Sequence, residues 1–195
     1  MASSERQADL ETLHTEIRHC NDCGLATRAT HYVVGEGPPD AAVMCVGEAP
    51  GAREDRDGRP FVGPSGRLLT RLLSMAGLLR EEVFITSLVK CRPPGNRDPL
   101  PHEVTACKEH LTAQIAIIRP RVICTLGRFA GRALVRQDLS VAREHGRPER
   151  IGRALYVPLY HPAAALHQQQ LGQVLEGDMA RLRELLRAEL GGGTP

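Results

Sequence analysis

Four short apolar runs recur along the chain and are the clearest structural signal in it. They cover residues 42–46, 83–89, 122–126 and 154–160, and each is too short for a core helix. Continuous apolar runs of this length are typical of strands that are buried on both faces of a parallel sheet. The segments between the runs carry apolar residues at helical spacing, so the pattern predicts alternating strands and helices.

Five helices are predicted around these strands. Their limits are about residues 8–19, 66–76, 101–118, 129–135 and 174–190, and Ser65 is a candidate N-cap for the second helix. A charged loop is predicted between Gly51 and Arg59, and a polar connection with little regular pattern over residues 140–153. Alternation of this kind predicts an α/β fold with right-handed crossovers and helices on both faces of the sheet.

Chemically distinctive residues stand where the predicted strands end. Gly47-Glu48 follows the first strand, Lys90-Cys91 the second, Gly127 the third and His161-Pro162 the fourth. Ligands of parallel sheets bind beyond the carboxyl ends of the strands, so we expect these residues to meet at one edge of the sheet. The loop after the first strand also carries Phe61, an isolated ring in a chain with only 3% aromatic residues.

The composition favours one globular domain in the cytoplasm. A chain of 195 residues suits a single domain over residues 1–190, followed by a disordered tail at 191–195. No apolar run is long enough to span a bilayer, and the polar N-terminus lacks the apolar core of a signal peptide. The net charge is +2, and all but two of the 25 cationic residues are arginine, which suits phosphate contacts and equally a GC-rich genome.

The six cysteines divide into two groups by their surroundings. Cys45 and Cys124 lie inside apolar runs and are predicted to be inert core residues. The others lie in polar, turn-rich segments and are Cys20, Cys23, Cys91 and Cys107. Zinc and a 4Fe–4S cluster both accept four thiolates, and the wide spacing of the second pair favours the cluster over zinc. Four unrelated thiols remain the alternative from the residues alone.

Several motifs together resemble one known family. They are Gly47-Glu48-Ala49-Pro50-Gly51, Arg59-Pro60-Phe61-Val62-Gly63, Lys90-Cys91-Arg92-Pro93-Pro94-Gly95-Asn96-Arg97, Tyr160-His161-Pro162 and the four cysteines. Their order and spacing resemble the family 4 uracil-DNA glycosylases, which are iron–sulfur members of the uracil-DNA glycosylase superfamily. The resemblance covers about residues 13–190, nearly the whole chain.

The resemblance implies a fold, an activity and a cofactor. The implied fold is a three-layer α/β sandwich whose central four-stranded parallel sheet is flanked by helices. The implied activity is that of a monofunctional enzyme, expected to be a monomer, that flips uracil out of DNA and hydrolyses its N-glycosidic bond, leaving an abasic site. The implied cofactor is a 4Fe–4S cluster on Cys20, Cys23, Cys91 and Cys107, which we expect to act mainly as a structural clip.

The resemblance also assigns residues to the binding of the flipped base. The backbone N–H groups of Gly47, Glu48 and Ala49 resemble those that hold uracil O2. Phe61 resembles the ring that stacks on the base. Ser87 stands where the family usually has Asn, whose amide reads the base edge, so the base range is expected to extend to other deaminated bases.

Further residues are assigned by resemblance to the chemistry and to the DNA. His161 resembles the donor that stabilises negative charge on O2. Glu48 resembles the carboxylate that orients water and stabilises the cationic sugar, and Glu54 is a weaker candidate for the same task. Leu166 resembles the wedge that enters the duplex. Basic residues near the site are expected to contact phosphates, namely Lys90, Arg92, Arg97 and Arg128.

Two other functions fit the same residues. One is a protein that binds damaged or single-stranded DNA on this fold without cleaving it, the loss of Asn at position 87 having removed catalysis. The other is an enzyme that acts on free nucleosides or nucleotides.

Overall fold

The computed structural model describes residues 3–191, which form one central sheet covered by helices on both faces. The strands are β1 (Val43–Gly47), β2 (Val83–Ser87), β3 (Val122–Leu126), β4 (Glu149–Ile151) and β5 (Ala154–Leu159). Their order across the sheet is β2-β1-β3-β5-β4. β1, β2, β3 and β5 run parallel, as the sequence predicts, while β4 pairs antiparallel with β5 at the edge.

Eight α-helices connect and flank the strands of the described chain. They are α1 (Ser3–Arg18), α2 (Ala52–Asp57), α3 (Pro64–Met75), α4 (Pro101–Ile118), α5 (Arg128–Leu134), α6 (Val141–Glu144), α7 (Pro162–His167) and α8 (Gln169–Gly191). None of the helices between residues 3 and 191 is long and apolar enough to cross a membrane.

The side chains of each parallel strand divide between two cores, because successive residues of a strand point to opposite faces. In β1, Val43 and Cys45 pack in the core under α3 and α8, which includes Leu72 and Leu182. Met44, from the same strand, packs in the opposite core with residues of α1, α4 and α5. The three predicted layers are therefore helices, sheet and helices, and all four parallel strands are buried along their length.

The structure corrects the predicted fold at several points. The sheet has a fifth strand, β4, inside the polar segment 140–153, where the sequence has no alternating pattern. The charged loop after β1 contains α2, whose residues are mostly exposed. Ser65 lies inside α3, whose N-cap is Gly63. Within the predicted tail, Gly191 ends α8, and residues 192–195 lie outside the described residues.

Candidate active site

A cleft of about 310 Å³ opens where β1, β2 and β5 end. The residues that line it include Glu48, Glu54, Phe61, Ser87, Arg97 and His161. These come from four separate segments of the chain, and the parallel order of the strands brings them to the same edge of the sheet. Of the residues predicted to meet at the strand ends, Glu48 and His161 line this cleft, and Gly127 lies against His161. Lys90 and Cys91 line a separate cavity instead.

Phe61 forms one wall of this cleft and is held in a strained backbone conformation. Its φ angle is 50°, in the left-handed region that bulky residues rarely adopt. Its ring packs directly on Gly47, where a Cβ atom would lie 2.7 Å from the ring. Gly66 packs against the backbone of Phe61, since a Cβ atom there would clash with the Phe61 carbonyl oxygen. The two glycines therefore leave room for the ring and for the backbone of Phe61.

Hydrogen bonds on both sides of Phe61 hold the strained turn. The Glu54 carboxylate accepts from the backbone N–H groups of Val62, at 2.9 Å, and Gly63, at 2.8 Å. On the other side, the Arg80 guanidinium donates to the Pro60 carbonyl oxygen at 2.7 Å. Both N–H groups donate to the same oxygen of Glu54, Oε1. This carboxylate therefore positions the turn that carries Phe61, and it does so without a bound substrate.

His161 lies against Phe61, and its two ring nitrogens have different roles. The two rings are stacked, with centroids 5.7 Å apart and planes inclined by 28°. Nδ1 of His161 accepts a hydrogen bond from the Ala163 backbone N–H at 3.1 Å and so caps α7. In the neutral ring the proton is therefore on Nε2, which makes no hydrogen bond within residues 3–191. Burial lowers the pKa of His161 to about 4, so the ring is neutral at physiological pH.

Glu48 is the second polar group of the cleft and follows directly on β1. Burial raises the pKa of Glu48 to about 7, and the negative charge of Asp98 acts in the same direction. The Arg128 guanidinium opposes both effects. The carboxyl group of Glu48 forms no hydrogen bond within the described part of the chain, so it is available to water or to a ligand. Ala49, the next residue, also lines the cleft.

Ser87 closes the inner end of the cleft and is supported from behind by Lys90. Ser87 is the buried last residue of β2. The Lys90 ammonium donates to the Ser87 carbonyl oxygen at 2.8 Å, to Thr86 Oγ1 at 2.7 Å and to Gln114 Oε1 at 2.8 Å. Lys90 is only 1% exposed. Its position corrects the prediction that it contacts a DNA phosphate, since the ammonium is used inside the protein.

The four cysteines in polar segments meet in a second cavity. Cys20 and Cys23 come from the turn after α1, Cys91 from the loop after β2, and Cys107 from α4, and all four line this cavity. Cys107, Cys23 and Cys20 all lie near enough to Cys91 to raise the pKa of its thiol. The loop after β2 separates the two cavities, because Val89 and Cys91 line one while Pro93 and Arg97 line the other.

The chemistry of this donor set fits a metal ion or cluster. Burial, with a smaller contribution from the neighbouring thiols, raises the pKa of Cys91 to about 12. Four thiolates in this cavity therefore need a compensating positive charge, which metal ions supply. Cys20, Asp22 and His110 also have ligand atoms within 4.8 Å of one another. By contrast, Cys45 and Cys124 are buried in the apolar core, as their sequence context predicts.

Comparison with known proteins identifies the family. A family model described as the uracil DNA glycosylase superfamily matches residues 34–184. The chain is 44% identical over 184 residues to the type-4 uracil-DNA glycosylase of Archaeoglobus fulgidus, a match that covers 90% of this chain and 92% of that protein. The chain belongs to the type-4 uracil-DNA glycosylases. A type-4 enzyme of Thermotoga maritima is 39% identical over 188 residues, covering 94% of this chain and 98% of that protein.

Type-5 uracil-DNA glycosylases match less of the chain. The type-5 enzyme of Thermus thermophilus is 37% identical over 118 residues, which cover 53% of this chain and 53% of that protein. The match to the Thermotoga maritima enzyme covers 94% of this chain and so leaves too few residues uncovered to omit the N-terminal segment with Cys20 and Cys23. The resemblance recognised in the sequence is therefore confirmed at the level of the type-4 family.

In this member of the type-4 family, the other predicted DNA contacts lie around the cleft. The guanidinium of Arg97 lies at the rim, where it binds both carboxylate oxygens of Glu103, at 2.6 and 2.8 Å. Arg92 donates to the side-chain oxygen of Asn96 at 2.7 Å. Arg128 is exposed and pairs with Asp98 at 2.7 Å. Phosphate contacts from these arginines remain a prediction.

Leu166 and several unpredicted residues complete the surroundings of the site. Leu166 is 47% exposed on α7, a helix that is not among the predicted ones, and its entry into a duplex stays a prediction. Arg80 and Asp98 were not singled out from the sequence. Asp98 directly follows the basic motif that ends at Arg97, and this position could have indicated it. Nothing in the sequence around Arg80 indicates that its guanidinium binds the Pro60 carbonyl oxygen, next to Phe61.

Proposed function

We propose that this protein excises uracil from DNA by hydrolysing the bond between the base and deoxyribose. The observation that carries the proposal is that His161 and Glu48 line the same cleft, with Phe61 and Ser87 between the strand ends. Membership of the type-4 uracil-DNA glycosylases supports the choice of uracil in DNA as substrate. A cleft of about 310 Å³ suits a single nucleobase, which must leave the base stack to enter it.

His161 is proposed to stabilise the leaving uracil. As the C1′–N1 bond breaks, its electron pair moves to the base, and negative charge develops on uracil O2. A preorganised donor aimed at such charge in a water-poor site lowers the barrier strongly. The Nε2–H group of a neutral His161 can donate to O2 without first losing a proton, because the low pKa keeps the ring uncharged.

Glu48 is proposed to act on the sugar side of the same bond. Loss of uracil leaves positive charge on the deoxyribose, which a carboxylate stabilises through space. Water then forms the new C1′–O bond, and its proton passes to the Glu48 carboxylate or to solvent. The role needs the ionised form, so the proposal predicts dependence on pH around the Glu48 pKa of about 7.

The base is proposed to lie against Phe61 with its edge towards Ser87. Phe61 supplies an apolar ring held by Gly47 and Gly66, and stacking of this kind accepts any flat base. Ser87 has one hydroxyl group, which can both donate and accept, and thus discriminates less than an amide would. We therefore propose that hypoxanthine and xanthine are slower, secondary substrates.

A 4Fe–4S cluster is proposed for the four cysteines. The four thiols share a cavity, and the ligand spacing is too irregular for a zinc ribbon. When bound, the cluster would supply four metal–sulfur bonds that tie the turn after α1 and the loop after β2 to α4. Analysis of iron, acid-labile sulfide and zinc in protein purified without oxygen tests this assignment, and a zinc-loaded, iron-free protein would overturn it.

A strand-scission assay tests the activity. An oligonucleotide with one deoxyuridine is incubated with the protein and then treated with alkali, which breaks the strand at an abasic site. We expect scission, together with release of free uracil and no cleavage of deoxyuridine nucleoside. Binding of the oligonucleotide without scission would instead favour the non-catalytic DNA-binding function, and turnover of the nucleoside alone would favour an enzyme of free nucleosides.

A further inference from the structure

A second depression adjoins the candidate active-site cleft. It has a volume of about 640 Å³ and lies between α3 and the segment that joins α7 to the start of α8. Pro64 and Ala165 line it, while their near neighbours in the chain, Ser65 and Ala163, line the cleft. The start of α3 and the helix α7 therefore separate two depressions that open side by side. We call the second one the α3–α8 groove.

Two exposed arginines line this groove. Arg67 and Arg71 are exposed and lie one helical turn apart on α3. Neither guanidinium group forms a hydrogen bond or an ion pair within residues 3–191. Most arginines nearer the cleft are already engaged, as Arg80 is with Glu36 and Arg97 with Glu103. Arg67 and Arg71 thus bring two positive charges into the groove that are free to meet an anion.

The remaining side chains of the groove suit a backbone of alternating phosphates and sugars. Gln169 and Gln173 lie one turn apart on α8, across the groove from the arginines, and their amide groups can donate to phosphate oxygens. Leu166, 47% exposed, also lines the groove. Glu176 is the one carboxylate among the residues that line the groove, so the arginines outnumber it.

We propose that the α3–α8 groove binds the sugar–phosphate backbone of the DNA strand where it continues past the flipped nucleotide. Arg67 and Arg71 would contact successive phosphates, because a spacing of one turn places their charges about 6 Å apart along α3. Guanidinium groups match phosphate oxygens in a planar, paired geometry. The inference deepens the proposed function, since the path of the strand is taken to start at the uracil cleft.

Salt dependence of DNA binding tests the groove directly. Each phosphate contact releases counterions, so the logarithm of affinity falls with the logarithm of salt concentration in proportion to the number of contacts. Dissociation constants of the wild-type protein and the variant Arg67→Gln/Arg71→Gln are measured at several salt concentrations between 50 and 200 mM. The probe is a fluorescent duplex with 2′-fluoro-2′-deoxyuridine, a nucleotide that resists cleavage of its glycosidic bond.

The variant is expected to bind more weakly at low salt and to show a slope shallower by about 2, one unit for each lost contact. Between 50 and 200 mM salt, the wild-type protein is therefore expected to lose about tenfold more affinity than the variant loses. The matched control is Arg121→Gln/Arg153→Gln. Its two exposed arginines immediately precede β3 and β5, at the sheet edge opposite the cleft, and its net charge changes by the same amount. The control is expected to retain the wild-type slope.

Three outcomes would overturn the inference. A wild-type slope in the groove variant would mean that Arg67 and Arg71 do not contact phosphate. Equal changes in both variants would mean that only net charge matters. The third outcome is a concentration-dependent dimer, seen in sedimentation of the wild-type and control proteins but not of the groove variant. This would mean that the groove binds a second copy of the chain.

The same measurement separates this inference from the proposed function. A duplex with thymidine at the central position is bound through its backbone and needs no excision. If the wild-type protein fails to release uracil but the groove variant shows the shallower slope on this duplex, the groove stands and the glycosylase function fails. If uracil is released and the slope is unchanged, the function stands and the groove inference fails.

Discussion

At the scale of single residues, one physical cause tunes the two polar groups of the cleft in opposite directions. Burial disfavours charge, so it raises the pKa of Glu48 to about 7 and lowers that of His161 to about 4. His161 is therefore uncharged across the physiological range, whereas Glu48 changes its ionisation near neutrality. The proposed chemistry needs a neutral donor and an ionised carboxylate, so Glu48 is the group that should limit the rate at low pH.

The rate of excision is predicted to rise with pH through a midpoint near the Glu48 pKa of about 7. Asp98 raises this pKa, so Asp98→Asn should move the midpoint to lower pH. Arg128 lowers the pKa, so Arg128→Gln should move the midpoint to higher pH. Single-turnover rates from pH 5 to pH 9 measure all three. If the wild-type protein and the two variants have the same midpoint, a group other than Glu48 limits the rate.

Substitution of His161 is predicted to separate its donor role from its capping role. His161→Ala removes both the Nε2–H donor and the cap of α7, so we expect a loss of about 10²–10³-fold in the single-turnover rate and about 1 kcal/mol of stability. His161→Asn can still cap the helix through its side-chain oxygen. Compared with His161→Ala, the Asn variant should have a melting temperature close to that of the wild-type protein but a single-turnover rate that stays below the wild-type rate. Wild-type activity in both variants would contradict the proposed role of His161.

At the scale of elements, the segment from α2 to α3 shows how a loop is built to hold one ring. Phe61 has a left-handed backbone between Glu54, which binds the turn after it, and Arg80, which binds the carbonyl group before it. Strained conformations of this kind cost about 1–3 kcal/mol and persist only when several contacts enforce them. The geometry thus gives Glu54 a positioning role that the sequence-based assignment to catalysis did not include.

Variants of Glu54 are predicted to distinguish positioning from catalysis. Glu54→Gln keeps an oxygen that can accept from Val62 and Gly63, so it should retain most of the activity. Glu54→Ala loses both acceptor bonds and should raise KM, with a loss of about 1–3 kcal/mol of stability. Steady-state kinetics and thermal unfolding measure the two effects. If Glu54→Gln loses as much kcat as Glu48→Gln, Glu54 takes part in the chemistry itself.

At the scale of the whole molecule, the four-cysteine cavity joins parts of the chain that are distant in sequence. It connects the end of α1, the loop after β2 and the second turn of α4. The same loop carries Lys90, whose ammonium supports Ser87 at the cleft. A metal or cluster in the cavity would therefore stabilise the base-binding end of the cleft as well as the fold.

Loss of one cysteine ligand is predicted to affect both metal content and stability. Cys91→Ser should lower the iron content and reduce the melting temperature by more than the 2–4 °C that corresponds to about 1 kcal/mol in a domain of this size. Cys45→Ala is the control, since Cys45 lies in the apolar core away from the cavity. Its iron content should equal that of the wild-type protein. Unchanged iron and melting temperature in Cys91→Ser would exclude Cys91 as a ligand.

The sequence by itself determined the parallel sheet, because strands buried on both faces must be continuously apolar and therefore stand out. β3 and α4 have the predicted limits, and Glu48 and His161 meet at one cleft because the parallel strands that they follow, β1 and β5, end at the same edge of the sheet. The sequence did not reveal β4, since three residues at a sheet edge are largely exposed and carry no periodic signal. Pairing with β5 alone makes them a strand.

Only the tertiary structure decided which charged residues are buried and what they bind. Lys90 and Arg92 lie two positions apart in the same basic motif, yet Lys90 is enclosed by three oxygen acceptors while Arg92 lies near the surface. The tautomer of His161 likewise depends on the Ala163 N–H group, and the pKa of Glu48 on its burial beside Asp98 and Arg128. Charge and protonation depend on surroundings drawn from distant segments, and these surroundings exist only once the chain has folded.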